Sequence, residues 1–290
     1  MINKYLRAIG FSDLTNDERT QHLLDDIKQN PSDKTILGLF DSTVYVEYIK
    51  YYGDNIGICI RGSMNENEEI KILEYFPFVK GDRQVQVNDV KIFPSGKTAI
   101  YFGTCVDDAS GNNIIFFLSN LIDYFVCGEE WEKQIEDEGC DVNFAGLSNF
   151  GTIVLPVLCD EYIDYEDAPD YEDGEVISPG VIHKNREKVV QNLDDASETI
   201  MERLQTEDFL SVVESYIVPR PDEDASYYLL GSIDSCQRIE NMLTDESIWK
   251  LVVDVTGSFL TIFINESDLL GLPSKGMRFM GTAWLQGEIL

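Results

Sequence analysis

The sequence predicts an α+β protein, mainly an antiparallel sheet with packed helices, followed by a small C-terminal β-barrel-like domain similar to an OB-fold. Three observations carry this. Between Thr35 and Phe117, and again after Tyr227, β-branched and aromatic residues come in short runs separated by turn residues. The connections between these runs are too short for crossover helices, which leaves antiparallel pairing. Two stretches carry helical periodicity and sit outside the strand-like runs.

The first helix has readable ends. Thr15 and Glu18 form an S/T-x-x-E capping box, Leu23, Leu24 and Ile27 make its apolar side, and Pro31 stops it. Strands follow, with Gly53-Asp54-Asn55 turning Val44–Tyr52 back onto Ile56–Ile60. Ser110-Gly111-Asn112 does the same between Ala99–Val106 and Ile114–Leu118. In Gln84–Ile92 the alternation slips by one at Asn88-Asp89, so a single strand face survives only across a bulge there. Strands around Val142–Leu147 and Thr152–Leu158 close this part of the chain.

Asp160–Glu175 holds nine carboxylates in sixteen residues and no cation, a density that resists packing and reads as a solvated connection. Beyond Pro179-Gly180, Val189, Leu193, Ala196, Ile200 and Leu204 repeat at spacings of four and three, one face of an amphipathic helix. The C-terminal third carries strand-like runs at Tyr227–Ile233, Trp249–Thr256, Phe259–Asn265 and Gly276–Ile289, a tight turn at Gly257-Ser258, and a short helix over Cys236–Leu243. These readings divide the chain into an α+β domain over 1–159, an acidic connection over 160–185, a linking helix over 186–212 and a small β-rich domain over 213–290.

Acidity bounds the partners. Asp and Glu number 53 against 22 Lys and Arg, a net charge of −31. Nucleic-acid binding draws its affinity from cationic side chains that displace counterions, so DNA and RNA are poor partners for this surface, as are anionic lipids. A basic protein, an amine or a divalent cation is electrostatically allowed. With 43% hydrophobic residues the chain still fills a core. The N-terminal residues show no secretory h-region, and Ile114–Cys127, the most apolar stretch, is broken by Ser119, Asn120 and Asp123, so neither a signal peptide nor a membrane span is expected and the cytoplasm is the predicted compartment.

Tests for chemistry give few candidates. Six scattered cysteines form no Cys-x-x-Cys pair, and several, such as Cys59 and Cys159, lie in apolar runs and read as small buried hydrophobes. Only His22 and His183 are available as bases near neutral pH, and neither stands beside a nucleophile motif. Ser95-Gly96-Lys97-Thr98 ends like a phosphate loop, but Lys91 occupies the position of the required glycine. The acidic segment does not fit an EF-hand, since placing Gly174 sixth puts Pro169 at the first ligand position. No cofactor or metal site is therefore expected. The candidate contacts are Tyr162, Tyr165 and Tyr171, interleaved with the acids, and Trp284 with Arg278 on one face of the last strand, opposite Phe279, Ala283 and Leu285.

Lys4-Tyr5-Leu6-Arg7-Ala8-Ile9-Gly10-Phe11-Ser12, with Asp268-Leu269-Leu270-Gly271 and the run Arg278–Gly287, resembles a domain-of-unknown-function family of anaerobic Gram-positive bacteria over nearly the whole chain. The resemblance implies a cytoplasmic bacterial protein and brings no activity or site residue with it. The expected role is a non-catalytic interaction or regulatory protein for a basic or neutral partner. The alternative is a small-molecule or metal-binding enzyme with a pocket lined by carboxylates such as Asp254, Glu266 and Asp268.

Overall fold

The computed structural model describes residues 2–14, 17–38, 44–96, 99–156 and 208–290. The chain is mostly β, and it divides into one unit of 1–154 with 215–290 and a second of 155–214. In the first unit a 3-10 helix over Ile2–Ile9 precedes helix α1 (Asp17–Gln29). Four antiparallel strands follow: β1 (Asp33–Gly38), β2 (Val44–Gly53), β3 (Ile56–Met64) and β4 (Ile70–Val79), hydrogen-bonded in that order. The β2–β3 hairpin turns where the sequence places it, with Asn55 at φ 58°, a left-handed conformation that asparagine tolerates.

The larger sheet is mixed. Its strands are β5 (Gln84–Pro94), β6 (Tyr101–Asp107), β7 (Asn113–Leu118), β8 (Cys140–Ser148), β9 (Gly151–Val154), β10 (Tyr216–Pro219), β11 (Ser226–Glu240), β12 (Ser247–Val255), β13 (Ser258–Asn265), β14 (Leu269–Leu270) and β15 (Arg278–Ile289). Most pairs are antiparallel, but β13 with β8, β15 with β7 and β14 with β9 run parallel. The slip at Asn88-Asp89 is a bulge: the β5–β6 register shifts between Asn88 and Lys91, and Asp89 has φ 52°. Thr256 and Gly257, both at positive φ, make the two-residue β12–β13 turn.

Strand pairing in this sheet closes two circuits that share β8 and β15. One runs β8–β13–β12–β11–β15, the other β8–β5–β6–β7–β15. The boundary expected at 213 thus falls inside one hydrogen-bonded sheet, because β13 and β15 complete their pairing with strands from the first half of the chain. The acidity is concentrated in the second unit, where residues 155–214 hold 17 acids and 4 bases, −13 of the chain's −31.

Two elements differ from expectation. Helix α2 (Leu121–Glu138) follows β7 directly, turning the apolar stretch Ile114–Cys127 into half strand and half helix at Ser119-Asn120. Of the helix expected over Cys236–Leu243, residues 236–240 are instead the end of β11, where Arg238, Ile239 and Glu240 pair with Trp249, Ile248 and Ser247, and the rest enters the turn to β12. Of the helix expected over 186–212, only 208–212 lie among the described residues, and they hold α3 (Phe209–Val212), capped by the Asp208 carboxylate on the Leu210 N–H. The acidic connection 160–185 and the capping residue Thr15 lie outside the described residues.

Two cores result. One joins the 3-10 helix, α1 and the four-stranded sheet to Phe117, Phe263 and Trp284 of the larger sheet. The other fills the interior of the larger sheet, with Phe116, Phe144, Tyr227, Leu251, Ile262 and Phe279 among its buried side chains. β15 serves both: Ala283 and Leu285 face the second core while Trp284 between them faces the first. Gln286 joins the sheets. Fully buried, it donates from Nε2 to the Pro77 carbonyl at 2.5 Å and accepts the Val79 N–H at 3.3 Å, taking the place of a strand partner along β4.

Candidate functional site

A cleft of about 120 Å³ opens between the β1–β2 hairpin and the first turns of α2. β1 contributes Leu37, β2 Tyr45 and Val46, β3 Arg61, the segment before β6 Ala99, β6 Tyr101, and α2 Leu121, Ile122 and Phe125. The β1–β2 register sets Leu37 opposite Tyr45, which makes one wall. Across from it Phe125, 42% exposed, stands edge-on to Tyr101 with ring centroids 5.4 Å apart. The lining is therefore aliphatic and aromatic, with one charged member.

That member is held by an arrangement built from strand pairing. Arg61 and Glu47 are directly opposed on β3 and β2, so their side chains leave the sheet on the same face. Both are buried, and Arg61 Nε donates to Glu47 Oε2 at 2.6 Å. Nη2 donates to the carbonyls of Leu118 at 2.9 Å and Ser119 at 2.7 Å, where β7 hands over to α2, and Nη1 donates to the Ala99 carbonyl at 3.3 Å. The guanidinium lies 4.7 Å from the ring centre of Phe76 and 5.3 Å from that of Phe117. Burial pushes the Glu47 carboxyl up from its ordinary value, against the pull of Arg61 beside it. The pair fixes the β7–α2 junction and so the position of Leu121, Ile122 and Phe125. Its own charges cancel, so the cleft floor carries a dipole rather than a net charge.

Acids crowd the same side of the molecule. Asp123 on α2 is pushed up from its ordinary value by partial burial and by the neighbouring charges of Glu288 and Asp33, with Lys80 opposing them. Lys80 is itself paired to Glu288 at 2.9 Å.

The residues predicted from sequence as contacts fall elsewhere. Trp284, expected as a partner contact, is 1% exposed: it stacks on Tyr5 with centroids 5.3 Å apart and tilts against Phe117. Both faces of β15 are covered, so the alternation that set Trp284 apart from Ala283 and Leu285 separates two cores rather than core from solvent. Arg278 is buried as well. Tyr162, Tyr165, Tyr171 and His183 lie outside the described residues, and His22 is exposed on α1. The three carboxylates proposed for a shared pocket have separate partners: Asp254 accepts the Gly257 N–H, Glu266 is forked by Arg238, and Asp268 by Arg7. Among the described residues no three His, Cys, Asp or Glu side chains group as a metal site.

The cleft and its ion pair were missed from sequence, although a signal exists. Glu47 stands in Val-Tyr-Val-Glu-Tyr-Ile and Arg61 in Ile-Gly-Ile-Cys-Ile-Arg-Gly, single opposite charges in apolar runs on two strands of one predicted hairpin. Counting outward from the turn at Asp54-Asn55 alone pairs Glu47 with Gly62; the bulge between Tyr51 and Gly53 shifts the register by one and brings Arg61 opposite Glu47.

The sequence segments that carry the family resemblance meet in space. Tyr5 stacks on Trp284, Arg7 forks Asp268 at 2.5 and 2.7 Å, and Ser12 donates to Glu246, which also accepts from Asn265. The N-terminal motif is thus packed against the C-terminal strands that hold the other two. Residues 6–287 match the family described as DUF3881, a domain of unknown function named from E. rectale, an anaerobic Gram-positive bacterium. The chain belongs to this family. No curated protein and no solved structure matches it.

Proposed function

We propose that the protein is a non-catalytic binding protein whose cleft takes one uncharged, ring-sized apolar group of a neutral partner. The carrying observation is the cleft itself, about 120 Å³ of space lined by aliphatic and aromatic side chains over a self-neutralised ion pair. A cavity of roughly 150 Å³ is enough for one benzene ring. Apolar walls with a few fixed polar groups are the usual composition of a small-ligand site. The test is a titration of methyl-labelled protein with toluene, followed by NMR. The methyl signals of Leu37, Val46, Leu121 and Ile122 are expected to move while those of Leu251 and Val253, in the second core, stay still. Movement spread evenly over both sets, or none at millimolar toluene, would sink the reading.

A basic partner is favoured by a separate observation, the charges of Glu288 and Asp33 that add to partial burial in raising Asp123. Protonation or an incoming cation relieves that repulsion, so such binding would weaken with salt. Replacing Asp123 by Lys is expected to weaken capture of a short lysine peptide at low salt more than the same reversal at the exposed Glu240 does, and equal losses reject this reading. Two further expectations stand as part of the proposal. The circuit β8–β13–β12–β11–β15 acts as the barrel-like unit, with β8 recruited from outside 213–290, and the protein works in the cytoplasm, which its buried free thiols Cys59 and Cys105 support.

A further inference from the structure

We infer that the cleft selects rings carrying an uncharged hydrogen-bond acceptor, such as a ketone or amide oxygen, and that Arg61 Nη1 is the donor that reads it; this rests on the cleft being a ligand site. A guanidinium has five N–H groups. Arg61 spends four: one on Glu47, one on Ala99 and two on Leu118 and Ser119. The fifth belongs to Nη1, whose other hydrogen makes the longest of these bonds, to the carbonyl of Ala99. Arg61 and Ala99 both line the cleft, and both are buried. A buried donor without an acceptor is costly, so a group that supplies one gains more here than in water.

The charge of that acceptor follows from the surroundings. Glu47 already neutralises Arg61 at 2.6 Å. An anionic ligand would meet a cation that is already paired, with the Glu47 carboxylate beside it. A neutral oxygen meets the N–H without that repulsion. Tyr45 and Tyr101 also bring hydroxyls to the rim, but both side chains are only half-buried and water satisfies them as well as a ligand does, so they add little discrimination.

The experiment uses the full chain and three single-ring probes of similar size: acetophenone, its hydrocarbon isostere α-methylstyrene, and benzoate, followed through the cleft methyl signals. Acetophenone is expected to bind about tenfold more tightly than α-methylstyrene, the gain of one hydrogen bond to a charged donor, and benzoate more weakly than acetophenone. In Tyr45→Phe and Tyr101→Phe the preference should persist. In the double variant Glu47→Leu/Arg61→Met, which replaces the buried pair by apolar side chains of similar size, it should fall to nearly one while α-methylstyrene still binds. Equal binding of ketone and hydrocarbon by the wild-type protein, tightest binding by benzoate, or a preference that survives the double variant each overturns the role of Arg61 and leaves the cleft reading standing. Absence of cleft shifts with all three probes overturns both.

Discussion

Gln286 and Asn120 show how single side chains replace backbone in this fold. Each is an amide that offers a donor and an acceptor in the geometry of a peptide group. Gln286 satisfies Pro77 and Val79 of β4, and Asn120 donates to the Ile289 carbonyl at 2.8 Å and accepts its N–H at 3.1 Å, holding the end of β15 at the start of α2. Tyr227 does the same with one hydroxyl, accepting the Ile115 N–H and donating to the Ile115 carbonyl. Replacing Gln286 by Leu keeps the volume and strands two buried backbone groups. At ~1–3 kcal/mol for each unsatisfied group the expected loss is ~2–6 kcal/mol, read as a lower urea midpoint at unchanged slope. Gln286→Glu should lose nearly as much near neutral pH, since it cannot donate to Pro77. A loss within ~0.5 kcal/mol in Gln286→Leu would mean that water or a shifted β4 satisfies those groups, because only surface substitutions are usually so mild. The Arg61–Glu47 pair follows the same logic with larger stakes. Arg61→Ala leaves a buried carboxylate and is expected to cost ~3–5 kcal/mol; the Leu/Met double variant is spared that unpaired charge but still removes the donor to the carbonyls of Ala99, Leu118 and Ser119, so it should cost less than Arg61→Ala while remaining destabilised.

At the scale of elements, the N-terminal 3-10 helix gives a comparison between packing and charge. Tyr5 is 4% exposed and stacked on Trp284, while Arg7, 42% exposed, holds Asp268 in a good fork. Truncating the buried ring should cost ~3–5 kcal/mol. Losing the half-exposed ion pair should cost ~1 kcal/mol or less, since solvent screens it and the arginine regains its rotamer freedom. Urea unfolding of Tyr5→Ala and Arg7→Ala checks the order; a larger loss from Arg7 would show that the fork, not the stack, anchors the segment. Elements with local signals were legible in the sequence: the β2–β3 and β6–β7 hairpins from their turns, the β5 bulge from its broken alternation, and the buried thiol of Cys59 from its apolar neighbours, whereas Cys127 is exposed and Cys140 and Cys236 are only partly buried. Elements decided by distant partners were not. Ser119-Asn120 looks like an interruption of one apolar run, and only the Ile289 backbone and the Arg61 guanidinium make it the junction of β7 and α2. Cys236–Leu243 has no strong period of its own, and β12 across the hairpin makes residues 236–240 strand. The boundary at 213 failed for a like reason, because hydrogen bonds from β8 and β15 cross it and composition records no hydrogen bonds.

For the whole molecule, the two cores make stability depend on alkaline pH in a definite direction. Burial pushes Cys140 up to about 11, Cys105 and Tyr227 up to about 12, and Cys59, Tyr5 and Tyr52 higher than their ordinary values as well. In the unfolded chain thiols lose their protons near pH ~8.5 and phenols near ~10. Above those values the unfolded chain sheds protons that the folded protein still holds, so ionisation favours unfolding and stability falls as pH rises. Each such group withdraws stability over this range, and several act together against the ~5–15 kcal/mol that holds a typical domain folded. The net charge of −31 acts in the same sense, because each new thiolate or phenolate adds to an existing excess of negative charge. Unfolding followed by circular dichroism should therefore begin between pH 8.5 and 10, led by the cysteines, and be complete below about pH 12. Added salt should move the transition upward by screening the charge. Cys140→Ser, which removes the thiol and leaves no group that ionises in this range, should move it upward too, although it lowers stability near neutral pH. A midpoint indifferent to both salt and Cys140→Ser would show that the thiols do not drive the transition, and that it waits for the phenols of Tyr5, Tyr52 and Tyr227 inside the two cores.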